Sequence, residues 1–327
     1  MTMRVGIAGT GTMGEVHAAA WRSTDAELIG CTSARLEQAE ALARRYQMRV
    51  FSDYAEFLNA VEIVDICTPT PLHKPMVLQA AKAGKHVICE KPVALTPQDA
   101  RTMILACKEA GVRFFVGMVV RFFPQYRLAK ELVATGQIGR LSVLRLKRVS
   151  YVPQKSPDNW YFDPTLSGGV VVDLMIHDFD YSRWLGGEVE RVYAQRSRSV
   201  GGPAQYVQAI LRFRSGALAL VEGGWAYPPG VFRTALDLSG TDGLIEWNSD
   251  QPSPVLTFLH PKPNDTASVG LPESGLGQDP YAAELQHAYR AIQTGTDFEV
   301  TAEDALEALR ISRAAEESLS SGRPVLL

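Results

Sequence analysis

Cysteine is scarce in this chain: Cys31, Cys67, Cys89 and Cys107 are the only four in 327 residues. No pair stands at zinc-ligand spacing, and no closely spaced framework suggests disulfide staples. They read as small buried hydrophobes of a reducing compartment. An excess of one charge is lacking too. Lys and Arg number 33 against 36 Asp and Glu, a net charge of −3, which offers no electrostatic footprint for nucleic acid or an anionic membrane. Lys147-Arg148 and Arg196 with Arg198 come nearest to a basic cluster, and places at strand ends account for them. Long apolar runs are also missing: Phe114–Val120 falls far short of the ~20 residues of a spanning helix. The N-terminus passes straight into the apolar segment Arg4–Ala8, without the succession of basic stretch, apolar core and cleavage site that marks a secretory leader. The expectation is a cytoplasmic protein with neither nucleic acid nor membrane as partner. What is present is ordinary globular material, 46% apolar and 21% charged, enough for about two domains of ~150 residues.

The first 120 residues alternate strand and helix patterns. Strand-like runs at Arg4–Ala8, Glu27–Cys31, Met48–Phe51, Ile63–Cys67, His86–Cys89 and Val112–Val119 are separated by helical spacings at Met13–Ser23, Arg35–Tyr46, Lys74–Ala83 and, after the capping pair Thr96-Pro97, up to Gly111. Strands separated by helix-length segments predict βαβ units and a parallel sheet covered on both faces. Gly84 follows its helix as a C-cap should. After Arg121 the texture changes. A helix over Gln125–Ala134 precedes strand-like runs at Leu141–Tyr151, Val189–Arg196, Tyr206–Phe213, Ala217–Trp225, Arg233–Ser239 and Leu244–Trp247. Ser215-Gly216 and Thr241-Asp242-Gly243 supply hairpin turns, so this sheet is expected to be mostly antiparallel. One helix, Val170–Leu185, is framed by Gly168-Gly169 and Gly186-Gly187. Residues 251–280, rich in proline, glycine and serine, read as a surface excursion, and two helices, Tyr281–Gln293 and Ala302–Ser320, close the chain. The expected class is α/β, with domains at 1–120 and 121–327 and closing helices that pack back on the first.

Gly9-Thr10-Gly11-Thr12-Met13-Gly14 is a Gly-x-Gly-x-x-Gly run between an apolar strand and a helix, the context a dinucleotide fingerprint requires. Gly9 allows the tight turn, Gly11 lets backbone approach a pyrophosphate, and Gly14 lets helix meet strand; the helix N-terminus suits the anion. The second strand runs into Cys31-Thr32-Ser33-Ala34-Arg35, with no acidic residue for a ribose 2′-hydroxyl. Ser33 and Arg35 suit a 2′-phosphate better, which favours NADP(H), with NAD(H) as the alternative; Arg35 as the solvated first turn of a helix is the plainer explanation.

Glu90-Lys91-Pro92 places a charged pair at the carboxyl end of a buried strand, where open α/β sheets hold ligands. A solvated turn would read the same way in isolation. The loop Cys67-Thr68-Pro69-Thr70-Pro71-Leu72-His73 ends the fourth strand at the same edge. Thr68 and Pro69 belong with the nicotinamide half of a cofactor, and His73 is either a contact to its ribose or a helix cap. Asp173-Leu174-Met175-Ile176-His177 puts a carboxylate and an imidazole four apart, one face of a helix, with Asp178 and Asp180 adding negative charge that favours imidazolium. Such a pair suits acid–base work near neutral pH, or is an incidental polar helix face. Arg121, Trp160, Tyr161 and Tyr227 are candidates for contacts to a hydroxylated substrate; simple packing is the alternative for Trp160 and Tyr161.

Taken in order, Gly9-x-Gly11-x-x-Gly14, Thr68-Pro69 with His73, Glu90-Lys91-Pro92, Arg121-Phe122 with Pro124, and Gly168-Gly169 with Asp173-x-x-x-His177 resemble the Gfo/Idh/MocA family, named for glucose–fructose oxidoreductase, inositol dehydrogenase and rhizopine catabolism. The resemblance spans about residues 3–247 and the closing helices. It implies an N-terminal Rossmann doubly wound parallel sheet and a C-terminal α+β domain with an open, mostly antiparallel sheet. It implies NAD(P)-linked oxidation or reduction of a sugar, polyol or related hydroxy compound; no metal is expected. It maps Lys91 onto the family's catalytic lysine and Asp173 with His177 onto its substrate-side acid–base pair, with Glu90 and Pro92 positioning Lys91 through a cis peptide before Pro92. An open sheet with an apolar face further predicts a homodimer or homotetramer. Two rivals remain: an NAD-dependent glycosidase, recognisable by release of sugar without net cofactor change, and a non-catalytic dinucleotide-binding regulator, recognisable by tight nucleotide binding with no turnover.

Overall fold

The computed structural model describes residues 2–156, 158–197, 204–250 and 279–327. Backbone contacts divide the chain into two units, Met1–Phe123 with Gly277–Leu306 and Pro124–Leu276 with Glu307–Leu327.

Six strands of the first unit, β1 (Arg4–Ala8), β2 (Glu27–Thr32), β3 (Arg49–Phe51), β4 (Ile63–Ile66), β5 (His86–Glu90) and β6 (Phe114–Gly117), form a parallel sheet in the order β3-β2-β1-β4-β5-β6. Helices α1 (Thr12–Trp21), α2 (Leu36–Tyr46), α3 (Tyr54–Ala60), α4 (His73–Lys82) and α5 (Pro97–Glu109) make the crossovers. Every residue of β4 is buried, as a strand covered on both faces requires. The order reverses between β1 and β4, so the loops leaving these strands open a crevice at the carboxyl edge of the sheet. Thr96 caps α5 by accepting from the Asp99 N–H at 3.1 Å, and Gly84 follows α4 at φ +69°, both as the sequence predicts. Helix α3 has no counterpart among the predicted elements. Its signal is Asp53, whose carboxylate accepts from the Glu56 N–H at 2.8 Å as an N-cap does.

The second unit starts with α6 (Pro124–Ala134) and carries β7 (Leu141–Tyr151), α7 (Pro164–Ser167), α8 (Gly169–Asp173), α9 (Ile176–Gly186), β8 (Val189–Arg196), β9 (Gln205–Phe213), β10 (Leu218–Tyr227), β11 (Arg233–Gly240) and β12 (Leu244–Asn248). Two further helices, α10 (Pro280–Thr294) and α11 (Ala302–Ser321), and the short β13 (Val325–Leu326) complete the chain. The sheet order is β12-β11-β7-β10-β9-β8-β13, antiparallel except where β10 runs parallel to β7. The mostly antiparallel sheet matches expectation, and both hairpins form: Gly216 turns β9 into β10 at φ +90°, and the Gly240 N–H meets the Gly243 carbonyl at 2.9 Å between β11 and β12. Along β9, Val207, Ala209, Leu211 and Phe213 are buried while Gln208, Ile210 and Arg212 face out. One sheet face is therefore core and the other open. The predicted excursion over 251–280 lies outside the described residues, apart from its last two.

The single helix expected over Val170–Leu185 is broken. The N–H groups of Leu174 and Met175 both reach the Val170 carbonyl, each at 3.0 Å, and α9 restarts after Met175. Three consecutive buried valines, Val170–Val172, are poor helix-interior residues because β-branching restricts them against the preceding turn. A second expectation also changes. Arg148 is not a solvated strand-end charge. It is 2% exposed and its guanidinium donates to both oxygens of Asp178, at 2.8 and 3.1 Å.

Candidate active site

The glycine run leaves β1 and opens α1. A Cβ on Gly14 would lie 2.0 Å from the Gly9 carbonyl oxygen, so the close helix–strand approach needs glycine there. Gly9 is held at φ +101°, and a Cβ there would strike the Cys67 backbone at 2.6 Å. Gly11 differs: a Cβ would meet nothing within 4 Å. Protein packing does not demand glycine at 11, and its absence of a side chain leaves room for a ligand above the turn. Beside it the Thr10 hydroxyl is buried without a hydrogen-bond partner, and Gly11 caps α1 with no side-chain hydrogen bond. A glycine kept open to an anion, an orphaned hydroxyl and an uncapped helix start fit a dinucleotide pyrophosphate. Thr12 and Met13 form the first, partly exposed turn of α1. Past the end of β2, Ser33 accepts from the Arg35 N–H at 3.2 Å and the Arg35 side chain is exposed.

Lys91 follows β5, half-buried, with a cis peptide to Pro92. Glu90 points inward and is 5% exposed. One of its oxygens accepts from the Lys91 N–H at 3.0 Å and the other meets His17 Nε2 at 2.9 Å. The opposite ring nitrogen of His17 lies 2.9 Å from Asp65, which also accepts from the Trp21 indole at 2.7 Å. Burial opposes charge on His17, yet Asp65, with Cys67 beside it, lifts its proton affinity well above that of an ordinary imidazole. His17, Asp65 and Cys67 bring metal-type donor atoms within 4.8 Å of one another. These atoms already bond one another: Cys67 Sγ sits 3.4 Å from His17 and 3.5 Å from Asp65, and burial with Asp65 keeps the thiol protonated. The cluster is a closed hydrogen-bond network. Nothing in the predicted elements pointed to it, since Asp65 was hidden in an apolar run and His17 in a helix.

His73 is also turned inward. It is 1% exposed, and its ring nitrogens approach the Thr68 carbonyl at 2.9 Å and the Pro92 carbonyl at 3.0 Å, while burial lowers its proton affinity. It clamps the Thr68-Pro69 loop to the Glu90-Lys91-Pro92 loop, which replaces the expected contact to a ribose. Arg121 requires a plainer correction. Offered by the sequence as a substrate contact, it is 1% exposed and donates to the Glu299 carbonyl at 3.0 Å and to Asp304 at 3.3 Å. A buried guanidinium needs such partners, and here they fasten the closing segment of the first unit.

In the second unit, Asp173 ends α8 and His177 lies in the first turn of α9. The break between them removes the regular helical face the sequence suggested. Asp178 does not add free negative charge beside His177, because its charge is matched by Arg148. Tyr161 is one partner of Asp173, its phenol donating to the carboxylate. Burial, then the Asp173 charge, raises the phenol's proton affinity well above normal. Trp160 packs edge-on against Tyr161 at 5.6 Å between ring centres, and Trp225 lies 5.3 Å from it on the sheet. Tyr161, read from sequence as a ring for sugar packing, acts here as a hydrogen-bond donor.

A reversing parallel sheet with a glycine cradle at its switch point and a lysine at the next strand end defines a nicotinamide-dinucleotide oxidoreductase. The chain belongs to the Gfo/Idh/MocA family. The family's pattern described as "Oxidoreductase family, NAD-binding Rossmann fold" matches residues 3–118, and its C-terminal domain matches 126–246. The chain is 31% identical over 337 residues to myo-inositol 2-dehydrogenase of Thermotoga maritima, covering 99% of this chain and 98% of that one. A solved probable dehydrogenase from Thermotoga maritima superposes with a TM-score of 0.86 at 30% identity, covering 99% of each chain. Levoglucosan dehydrogenase in complex with NADH and levoglucosan superposes at 0.83 with 27% identity, covering 100% of this chain and 99% of that one. Among the described residues no helix is long and apolar enough to cross a membrane.

Proposed function

We propose that this protein oxidises or reduces a CH–OH carbon of a sugar or polyol with a nicotinamide dinucleotide. The observation that carries the reading is the open Gly11 position beside the unpartnered Thr10 hydroxyl, at the sheet edge that also bears Lys91. Gly9, Gly11, Thr12, Met13 and Gly14 hold the pyrophosphate; Thr68, Pro69, Glu90 and Lys91 belong to the nicotinamide end, with His73 fixing their loops. The exposed Arg35, Ser33 and the lack of an acidic residue after β2 favour NADP(H). NADH in a solved relative supports NAD(H) as the alternative.

When bound, a nicotinamide takes or returns the hydride at the substrate carbon. Lys91, as an ammonium, donates to the reacting oxygen and favours negative charge developing there. His177 moves the hydroxyl proton, and Asp173, held by Tyr161, binds a neighbouring hydroxyl or orients the imidazole. These two roles rest on the family pattern. Trp160 offers a partly exposed ring face to the substrate. Inositol and levoglucosan in the relatives' names support cyclic polyols and anhydrosugars as candidate substrates.

On the open face of the second sheet, Ile210 and Leu220 are 44% and 41% exposed and line a groove of about 540 Å³ together with Arg145, Lys147 and Glu222. A second copy covering this face gives a homodimer or homotetramer, which light scattering tests; a monomer at micromolar concentration contradicts it. The functional test is a panel of inositols, aldoses and anhydrosugars with NADP⁺ and with NAD⁺, followed at the nicotinamide absorbance. Turnover with NADP⁺ preferred is expected. Preference for NAD⁺ overturns the cofactor choice, and nucleotide binding without any turnover overturns the reading.

A further inference from the structure

We infer that His17 is a positioning residue for Lys91, acting through Glu90 from inside the first unit. The inference rests on the role proposed for Lys91. The path is short: His17 Nε2 to Glu90 at 2.9 Å, and Glu90 to the Lys91 N–H at 3.0 Å. His17 meets a carboxylate oxygen at each ring nitrogen. A neutral imidazole has one N–H and would turn its lone pair toward the other carboxylate. Only the imidazolium donates to both, in charge-assisted bonds that are shorter and stronger than neutral ones. The ring is 0% exposed, so water does not compete for either bond.

The groups facing this ring are few and come from every element around it. Asp65 and Cys67 face it from β4 and its end, Glu90 from β5, and the Tyr281 ring from α10 at 6.4 Å. Trp21, on the same helix as His17, holds Asp65. Glu284, also on α10, is 0% exposed with both carboxyl oxygens lacking a hydrogen-bond partner. A Cβ on Gly117 would lie 3.4 Å from Glu90 Oε1 and 3.7 Å from Glu284 Oε1, so the two carboxyls share one wall. Two carboxylates already share the charge of His17, and a third ion without a donor is the costliest arrangement available. Glu284 is therefore the neutral acid of the group, in keeping with the rise that burial and then Glu90 impose on its proton affinity. A charged His17 donating to Glu90, with an uncharged Glu284 behind it, holds the Glu90 carboxyl in place, and Glu90 fixes the backbone from which the Lys91 side chain departs.

The test uses the full chain with NADP⁺ added. Nitrogen NMR of labelled histidine should show His17 doubly protonated at pH 7.5. Amide hydrogen exchange should show the Lys91 N–H protected, and at least tenfold faster exchange in both His17→Gln and Glu90→Gln, with β2 and β6 unchanged. In myo-inositol oxidation both variants should lose kcat about tenfold, and in His17→Gln nucleotide affinity should stay within about threefold. The double variant should be no worse than the weaker single variant. A neutral His17 at pH 7.5, or unchanged Lys91 exchange in a folded Glu90→Gln, overturns the inference. If wild type oxidises nothing in the panel, the proposed function fails, while the exchange and nitrogen measurements still decide the link from His17 to Lys91.

Discussion

The residues assigned to chemistry are supported in two different ways. Lys91 follows a fully parallel sheet, and behind it lies a buried network in which His17, Asp65, Trp21 and Glu90 are closed on one another. Asp173 and His177 stand on either side of a helix break, and Asp173 is held by a phenol from a 3-10 turn at Trp160–Phe162. One is a platform whose geometry the core dictates. The other is built from short segments whose shape depends on a few side chains. A family that keeps one cofactor chemistry and varies its substrates would be expected to divide its architecture this way, since loops and short helices accept change more readily than a buried sheet.

The largest effect expected from breaking this comparison is on the second unit's own anchor. Asp178→Ala strands the Arg148 guanidinium at 2% exposure, and loss of one partner of a buried pair costs about 3–5 kcal/mol. Urea unfolding should register it, and a loss below about 1 kcal/mol would show that the anchor is not structural. Tyr161→Phe comes next. Loss of the phenol removes one donor to the Asp173 carboxylate, so kcat should fall about tenfold, and the missing hydrogen bond to a charged group should cost about 1.5–3 kcal/mol of stability in urea unfolding; unchanged kcat would remove Tyr161 from the proposed site.

The smallest effect is a pH dependence in the first unit. Glu284 has a proton affinity raised from the ordinary 4.5, by burial first. A raised carboxyl contributes stability that is complete below the unfolded value and is lost as pH climbs toward the folded one. Wild type should therefore soften relative to Glu284→Gln above about pH 5, by at most ~1.4 kcal/mol per pH unit, or roughly 2–4 °C. Thermal melts at pH 5, 7 and 9 test this, and a deficit of Glu284→Gln that is constant with pH would contradict a neutral Glu284.

Legibility in the sequence follows the same division. Gly9–Gly14 and Glu90-Lys91-Pro92 are contiguous runs at strand ends, and local chemistry announces them. Their support is not local. His17 meets Glu90 across 73 residues and Arg121 meets Asp304 across 183, and no spacing rule records such pairs. Asp65 was legible in principle, a lone carboxylate in a four-residue strand buried throughout, because a buried charge demands a partner. The break at Leu174–Met175 leaves no mark in the sequence, because Asp-x-x-x-His spacing satisfies helical periodicity whether or not the hydrogen-bond ladder is continuous. Arg121 is hidden for the same reason: an arginine at the edge of a domain pattern looks exposed, and its partners Glu299 and Asp304 lie far along the chain.

The central claim is that Lys91 holds the reacting oxygen in a nicotinamide-linked oxidation. It is tested most directly by Lys91→Ala, with turnover on the best substrate of the panel and NADP⁺ affinity measured on the same preparation. The account predicts turnover depressed by at least an order of magnitude and nucleotide affinity within about threefold of wild type. Normal turnover in that variant would contradict it.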